Sequence, residues 1–171
     1  DELFAEFAAG YLAAHPPTSY TLHRLADHFP EYLEATRPAD APALAFIVDL
    51  ARLELAIDRV FDGPGPEGLP PFAFPAGGAN ADELQLSLVP GMELLALRFP
   101  ASSYFTAWKN GEAAPWPAAA EQYVALFRRE YIVRRFELSR VQFVLLEHIA
   151  RGATLAAAID ASVGSDADRD S

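Results

Sequence analysis

Residues 63–81 hold five glycines and five prolines in nineteen positions, and this segment most constrains how the chain folds. Proline lacks a backbone donor and glycine weakens regular structure, so neither a helix nor a central strand suits this composition. We therefore expect a linker or a surface loop here, with a domain boundary. The prediction is an N-terminal helical domain (1–62), a linker (63–81), a C-terminal domain (82–163) and a disordered tail (164–171).

Before this segment, apolar residues recur at helical spacing. A long helix is predicted over about 43–61, because one stripe along it is continuously apolar. The stripe consists of Phe46, Leu50, Leu53, Ile57 and Val60. Asp49 and Arg52 form an i,i+3 pair away from the stripe, and we expect a solvated or internally paired face there. Three shorter helices are predicted over 2–14, 18–28 and 31–35, which gives a small helical bundle.

After residue 81 the hydrophobic period changes. Residues 123–129 and 131–137 alternate at period two and are rich in aromatic and β-branched side chains, which predicts strands. They form either a tight hairpin or one long bent strand. Further predictions are a strand near 93–99, a helix over 103–109, and two last helices capped by Ser139 and Thr154. The fold class is therefore α+β: a helical bundle, then a small mixed or antiparallel sheet packed with helices.

Composition excludes several classes of protein. The chain is 51% hydrophobic and 22% charged, so it can bury a core. It has no cysteine, which excludes disulfides and cysteine-ligated metals within it. No run of 18 apolar residues is present, so no membrane span is expected, and a cytoplasmic location is the default.

Charge is distributed unevenly along the chain. Residues 1–90 carry four basic and fourteen acidic side chains, a balance of −10, and the remainder carries nine and ten, a balance of −1. An acidic N-terminal half disfavours binding to nucleic-acid phosphates.

No catalytic constellation is recognisable. His15, His23 and His28 are separated by gaps of eight and five, which do not place two rings on one helical face, and His148 stands alone. Neither a G-x-S-x-G nucleophile motif nor a phosphate-binding glycine loop after a strand is present. We expect no metal site, no cofactor and no enzymatic activity.

One basic cluster lies on the predicted strands. Five of the chain's thirteen basic residues are Arg128, Arg129, Arg134, Arg135 and Arg140, interleaved with aromatic residues that include Tyr131. Arginine suits the capture of carboxylate or phosphate groups. Three interpretations remain open: structural pairing with nearby glutamates, a basic strip for an acidic peptide, and nucleic-acid binding.

Trp108 and Trp116 flank the turn signal Asn110-Gly111. Core packing is the simplest interpretation of both. Trp116 lies between Pro115 and Pro117 in a predicted loop, and tryptophan often anchors a protein interface. Both are therefore candidates for a partner interface.

Three stretches of the N-terminal region carry a family resemblance. They are Phe4 with Tyr11-Leu12 and His15-Pro16-Pro17, then Leu22 to Phe29-Pro30 with Tyr32-Leu33, then Ala45 to Ala56 with Asp49-Leu50-Ala51-Arg52-Leu53-Glu54 at its centre. In order and spacing they resemble the bacterial HvfC/BufC family, long labelled a DNA-binding domain family. Residues 123–128 and 152–159 give a looser match. The chain differs in having little sequence before Phe4 and in its Gly/Pro-rich linker.

The resemblance implies a non-catalytic partner, similar to the C component of methanobactin biosynthesis. Such a protein forms a heterodimer with a multinuclear iron oxygenase and helps to present a ribosomally made precursor peptide, whose cysteines the iron enzyme modifies. The family's role therefore implies two partners, an iron enzyme and a peptide leader.

The residues suggest a mechanism for peptide binding, in which the leader adds a strand to an open edge of the 122–137 sheet. The residues predicted to contact the leader are Arg128, Arg129, Arg134, Arg135 and Tyr131. The alternative function is a DNA-binding transcriptional regulator that uses helices 139–151 and 154–163. A third possibility is an enzyme whose site is built from His23, His28 and acidic residues.

Overall fold

The computed structural model describes residues 2–17, 24–41, 43–70, 80 and 82–167. In this part of the chain the elements are, in order, α1 (Glu2–Ala14), α2 (Phe29–Thr36), α3 (Leu44–Asp62), β1 (Glu93–Leu97), α4 (Ala101–Lys109), β2 (Gln122–Arg129), β3 (Ile132–Leu138), α5 (Arg140–Ala150) and α6 (Leu155–Ala167). The α+β class is confirmed, with a helical N-terminal region and a three-stranded antiparallel sheet.

The chain folds into two compact units that alternate along the sequence. The first unit comprises Asp1–Asp58 and Leu97–Glu121, and the second comprises Arg59–Ala96 and Gln122–Ser171. Residues 97–121, which the sequence places in the C-terminal domain, therefore belong with the N-terminal helices. The described part of the Gly/Pro-rich segment, residues 63–70 and 80, belongs with the sheet.

The first unit is built around α3, whose apolar side chains are buried on more than one side. Phe46 lies at its centre, with ring centroids of Phe99, Tyr104 and Trp116 at 6.0, 4.8 and 5.8 Å. Aromatic rings bury large areas and favour such edge-on contacts. The helix predicted over 18–28 differs in its described part, because residues 24–28 form turns. There the Leu25 carbonyl accepts a hydrogen bond from the Tyr11 hydroxyl at 2.6 Å. Residues 18–23 lie outside the described part.

The second unit contains the sheet, in the order β1-β2-β3. The central strand β2 buries Val124 and Leu126 completely. β2 and β3 are antiparallel and joined by Glu130 and Tyr131, so the hairpin alternative is confirmed. Both turn residues have positive φ, 53° and 61°.

Two helices follow the hairpin, and local sequence signals define their ends. A capping box begins α5: the Gln142 amide donates to Ser139 Oγ and the Ser139 amide donates to the Gln142 side chain. After α5, Gly152 has a φ of +82°. Thr154 caps α6, accepting from the amide of Ala157 at 3.3 Å. Both predicted caps are confirmed.

The last helix is longer than predicted. It continues to Ala167 instead of ending near residue 163, and residues 168–171 lie outside the described part. A single glycine such as Gly164 costs a helix only about 1 kcal/mol and does not end it. Among the described helices, none is long and apolar enough to cross a membrane.

Candidate peptide-binding surface

The register of β2 and β3 decides which side chains share a face of the sheet. Phe127 pairs with Arg134, and Arg129 pairs with Ile132. Because side chains alternate along a strand, Phe136 belongs to the same face as these four residues. We call Phe127, Arg129, Ile132, Arg134 and Phe136 the hairpin face.

The hairpin face is exposed and combines apolar and cationic groups. Ile132 is 54% and Phe136 is 49% exposed. The rings of Phe127 and Phe136 stack, with centroids 5.4 Å apart and planes within 6°. Arg134 is exposed and forms no ion pair within the described part of the chain. Arg129 Nε lies 4.0 Å from the Glu130 carboxylate, but both groups are exposed and such a pair contributes little.

Helix α5 limits how far the exposed hairpin face extends along the strands. Tyr123 lies on the same side of β2 as Phe127, four residues earlier, and its ring centroid is 4.9 Å from that of Phe143 in α5. Helix α5 therefore covers the Tyr123 end of this side of the hairpin. The end nearer the turn stays open to solvent.

Arg128 lies on the opposite face and has an internal role. Its Nε and Nη2 donate to the two carboxylate oxygens of Glu67 at 3.0 and 2.9 Å, and its Nη1 donates to the carbonyls of Val60 and Phe61. This hydrogen bonding lowers the pKa of Glu67. A Cβ atom on Gly65 would collide with the Arg128 guanidinium. Arg128 thus fixes the loop after α3 to β2.

The remaining arginines of the basic cluster also lie on different sides of the hairpin or outside it. Arg135 alternates with Arg134 and lies on the side of Arg128, where partial burial lowers its pKa. Arg140 is half-buried in the first turn of α5. Of the five arginines in the basic cluster, only Arg129 and Arg134 belong to the hairpin face.

Tyr131 stands at the tip of the hairpin and is 70% exposed. The Arg128 guanidinium carbon lies 5.7 Å from the centre of its ring, a cation–π distance. Beside the tip is an open surface cavity of about 470 Å³, lined by Pro66, Glu67, Gly68, Arg129, Glu130 and Tyr131. Tyr131 therefore lies beside Arg128 and residues 66–68, on the side opposite to the hairpin face.

The two tryptophans differ in their surroundings. Trp108 in α4 is 61% exposed, with its ring centroid 6.0 Å from that of Phe105. Trp116 is 49% exposed but contacts Phe46 in the core of the first unit. Trp108 is the better candidate for a partner contact.

Two of the described histidines, His15 and His28, belong to an aromatic cluster. The His15 ring stacks on Tyr11 at 4.9 Å, and the His28 ring lies 5.7 Å from that of His15. His23 lies outside the described residues. Within the described ranges, no group of three or more His, Asp or Glu side chains could hold a metal ion.

Sequence reasoning missed a charged cluster around Asp49. This side chain is 0% exposed, and its Oδ2 accepts hydrogen bonds from the backbone amides of Arg98 at 2.5 Å and Phe99 at 3.0 Å. Its Oδ1 accepts from Arg52 at 3.3 Å. The solvated interpretation of Asp49 is therefore wrong, and the paired one is confirmed. The sequence indicated the pair of Asp49 with Arg52 but carried no signal for the contacts with Arg98 and Phe99.

Glu34 joins the same cluster from α2. Its carboxylate accepts from Arg98 at 2.7 Å and from Arg37 at 2.6 Å, and these hydrogen bonds lower its pKa to about 2. A cleft of about 280 Å³ adjoins it, lined by Pro30, Glu31, Glu34, Val48, Arg52 and Arg98. Because each carboxylate of the cluster is paired with arginine, the arrangement favours a structural role.

Helices α5 and α6 pack against each other, as a helix-turn-helix would require. The exposed residues of α6 include Ile159, Asp160 and Val163, and no basic or amide side chain occurs in residues 155–164. Recognition helices read base edges with such side chains. This composition disfavours the DNA-binding alternative.

Compared with known protein families, the chain matches none, and no curated protein matches it.

Proposed function

We propose that this protein is a non-catalytic peptide-recognition subunit. It binds an extended, acidic peptide along β3 and presents that peptide to a partner enzyme. The observation that carries this proposal is the combination, on β3, of an outer side with which no strand pairs in the described part of the chain and of the exposed side chains of Ile132, Arg134 and Phe136.

The position of β3 supports strand addition. β3 is last in the sheet, so in the described part of the chain no strand pairs with its outer side. An edge strand presents unpaired amide and carbonyl groups, to which an extended peptide can bond. Main-chain bonds of this kind give affinity, and the side chains beside them give specificity.

The side chains beside the edge support an acidic peptide. Arg134 and Arg129 provide two guanidinium groups, and the Phe127–Phe136 stack provides exposed apolar surface. A carboxylate on the peptide is the natural partner for these arginines. The chain as a whole carries −11, so this attraction is local and acts only when the peptide reaches the hairpin.

The identity of the partner rests on the resemblance to the HvfC/BufC family. We propose that the partner is a multinuclear iron oxygenase, that the two form a heterodimer, and that the peptide is the leader of a ribosomally made precursor. The iron enzyme modifies the cysteines of that precursor. Trp108 is the exposed aromatic residue through which we propose contact with the enzyme.

The peptide half of the proposal is tested by fluorescence anisotropy with a labelled, synthetic acidic peptide. Alanine at Arg128 is unsuitable, because its loss would disturb the loop that binds it. The double variant Arg129→Glu/Arg134→Glu should weaken binding at least about tenfold, since attraction is replaced by repulsion. Arg24→Glu/Arg151→Glu, at arginines that are 74% and 63% exposed outside the hairpin face, reverses the same number of charges and should bind normally. Unchanged affinity in Arg129→Glu/Arg134→Glu would refute the role of the hairpin face.

The partner half is tested by co-expression and co-purification with a multinuclear iron oxygenase of the proposed class. Trp108→Ala should weaken the heterodimer, since an exposed tryptophan at an interface commonly contributes 2 kcal/mol or more, about thirtyfold in affinity. Val89→Ala, another exposed apolar residue, is the control. A heterodimer of normal affinity with Trp108→Ala would place the interface elsewhere.

A further inference from the structure

The spacing of side chains along β3 specifies which peptide the edge accepts. This inference rests on the proposed peptide-binding function. We propose that the hairpin face selects the five-residue pattern apolar–x–acidic–x–apolar. The acidic residue lies opposite Arg134, and the two apolar residues lie opposite Ile132 and Phe136.

The geometry of a strand ladder sets the spacing of the pattern. Residues two apart on β3 lie on one face about 6.8 Å apart, and an added strand has the same repeat. Cβ atoms of directly opposed residues are about 5 Å apart, close enough for side-chain contact. Ile132, Arg134 and Phe136 therefore face three alternate residues of the peptide.

The order of apolar and cationic side chains along β3 determines which residue types the peptide needs. Arg134 is the cationic residue of β3 on the hairpin face, and exposed apolar residues flank it on both sides. Arg129 belongs to β2 and pairs with Ile132, so it lies one strand further from an added peptide. The pattern therefore contains one acidic residue, opposite Arg134, and not two.

The neighbouring surface strengthens the central contact. Phe127 is the residue paired with Arg134 on β2, and it stacks on Phe136. An apolar peptide residue opposite Phe136 would extend this stack and exclude water near the guanidinium. An ion pair gains energy when screening by water decreases. Both intervening positions of the peptide face the other side, where Val133 and Arg135 are half-buried.

The inference is tested with three synthetic heptapeptides, acetylated and amidated, titrated into the full chain. The first is Thr-Val-Thr-Glu-Thr-Val-Thr, which carries the pattern. The second has Lys in place of Glu. The third, Thr-Val-Glu-Thr-Thr-Val-Thr, moves the acid to the other face while keeping composition and charge. Amide chemical shifts of β3 report both the affinity and the location of binding.

The wild-type chain should bind the first peptide about fivefold or more tightly than the second, and more tightly than the third. Arg134→Glu should invert the order of the first two peptides, because the lysine then meets an acid. Arg129→Glu, on the same face but one strand away, should weaken the first peptide slightly without inversion.

Two failures are distinguishable. If all three peptides shift the β3 amides with equal affinity, the pattern is overturned while peptide binding stands. If none of them perturbs β3, the edge does not receive peptides, and both the pattern and the proposed function are overturned.

Discussion

Asp49 illustrates how a buried charge can belong to a stable core. A carboxylate removed from water costs several kcal/mol unless charged and hydrogen-bonded partners surround it. Asp49 has two backbone amides and two arginines around it. Glu54, on the same helix, is exposed and needs no such set; partial desolvation of its carboxyl group and the nearby charge of Asp58 raise its pKa.

We expect Asp49→Asn to lower the free energy of unfolding by about 2–3 kcal/mol. The amide keeps one acceptor but leaves the arginines and a backbone amide without their charged partner. Urea unfolding measures the loss, and faster amide exchange at Arg98 and Phe99 localises it. Asp58→Asn, at an exposed position of the same helix, should change stability by less than about 0.5 kcal/mol. Equal effects of the two variants would contradict the structural role of Asp49.

The low pKa of Glu34 predicts a pH dependence of stability. Its pKa is about 2 in the folded protein and 4.5 ordinarily, so the unfolded chain binds the proton more readily. The carboxylate therefore stabilises the fold fully above pH 4.5, and this contribution is lost as pH falls toward 2. The stability difference between wild type and Glu34→Gln should be largest near pH 6 and shrink by pH 3. A difference that stays constant over this range would argue against the ion pairs with Arg98 and Arg37.

The β2–β3 hairpin contains a turn that its sequence does not favour. A two-residue turn with positive φ at both positions normally uses Asn-Gly, whereas this chain has Glu130-Tyr131. Left-handed conformations at such residues cost about 1 kcal/mol or more each.

Glu130→Asn should therefore raise the free energy of unfolding by about 0.5–1 kcal/mol, because asparagine tolerates positive φ. Thermal unfolding at one pH measures the gain. The same substitution in the strand, Glu137→Asn, should lower stability, since asparagine is a poor strand residue. A loss of stability in Glu130→Asn would show that the turn is not under strain.

Secondary structure was predictable where its signal is local. Ser139 and Gln142 lie three residues apart and define the start of α5, and alternation revealed β2 and β3. The hairpin remained one of two alternatives, because Glu130-Tyr131 carries no turn signal. Contacts between distant residues were not predictable. Asp49 binds amides 49 and 50 residues later, and Arg128 binds Glu67, 61 residues earlier. For the same reason, sequence could not divide the five arginines between two faces.

The two compact units alternate along the chain, so the Gly/Pro-rich segment is not a boundary between two continuous domains. A boundary at residues 63–81 suggested two domains that each fold from one continuous stretch. Instead, residues 97–121 complete the first unit. Their Arg98 and Phe99 amides donate to Asp49, and the Phe99 ring packs against Phe46. In the second unit, Arg128 needs the carbonyls of Val60 and Phe61.

A chain divided after residue 62 should therefore fold only when both fragments are present. The 1–62 fragment would expose Phe46 and leave the Asp49 carboxylate without its backbone donors, so its core cannot form. We expect poorly dispersed amide resonances from 1–62 alone and native-like dispersion after mixing with 63–171, with the intact chain as reference. Asp49→Asn in the 1–62 fragment should weaken that reassembly. A well-dispersed spectrum from isolated 1–62 would show instead that the N-terminal helices form an independent domain and that residues 97–121 are dispensable to it.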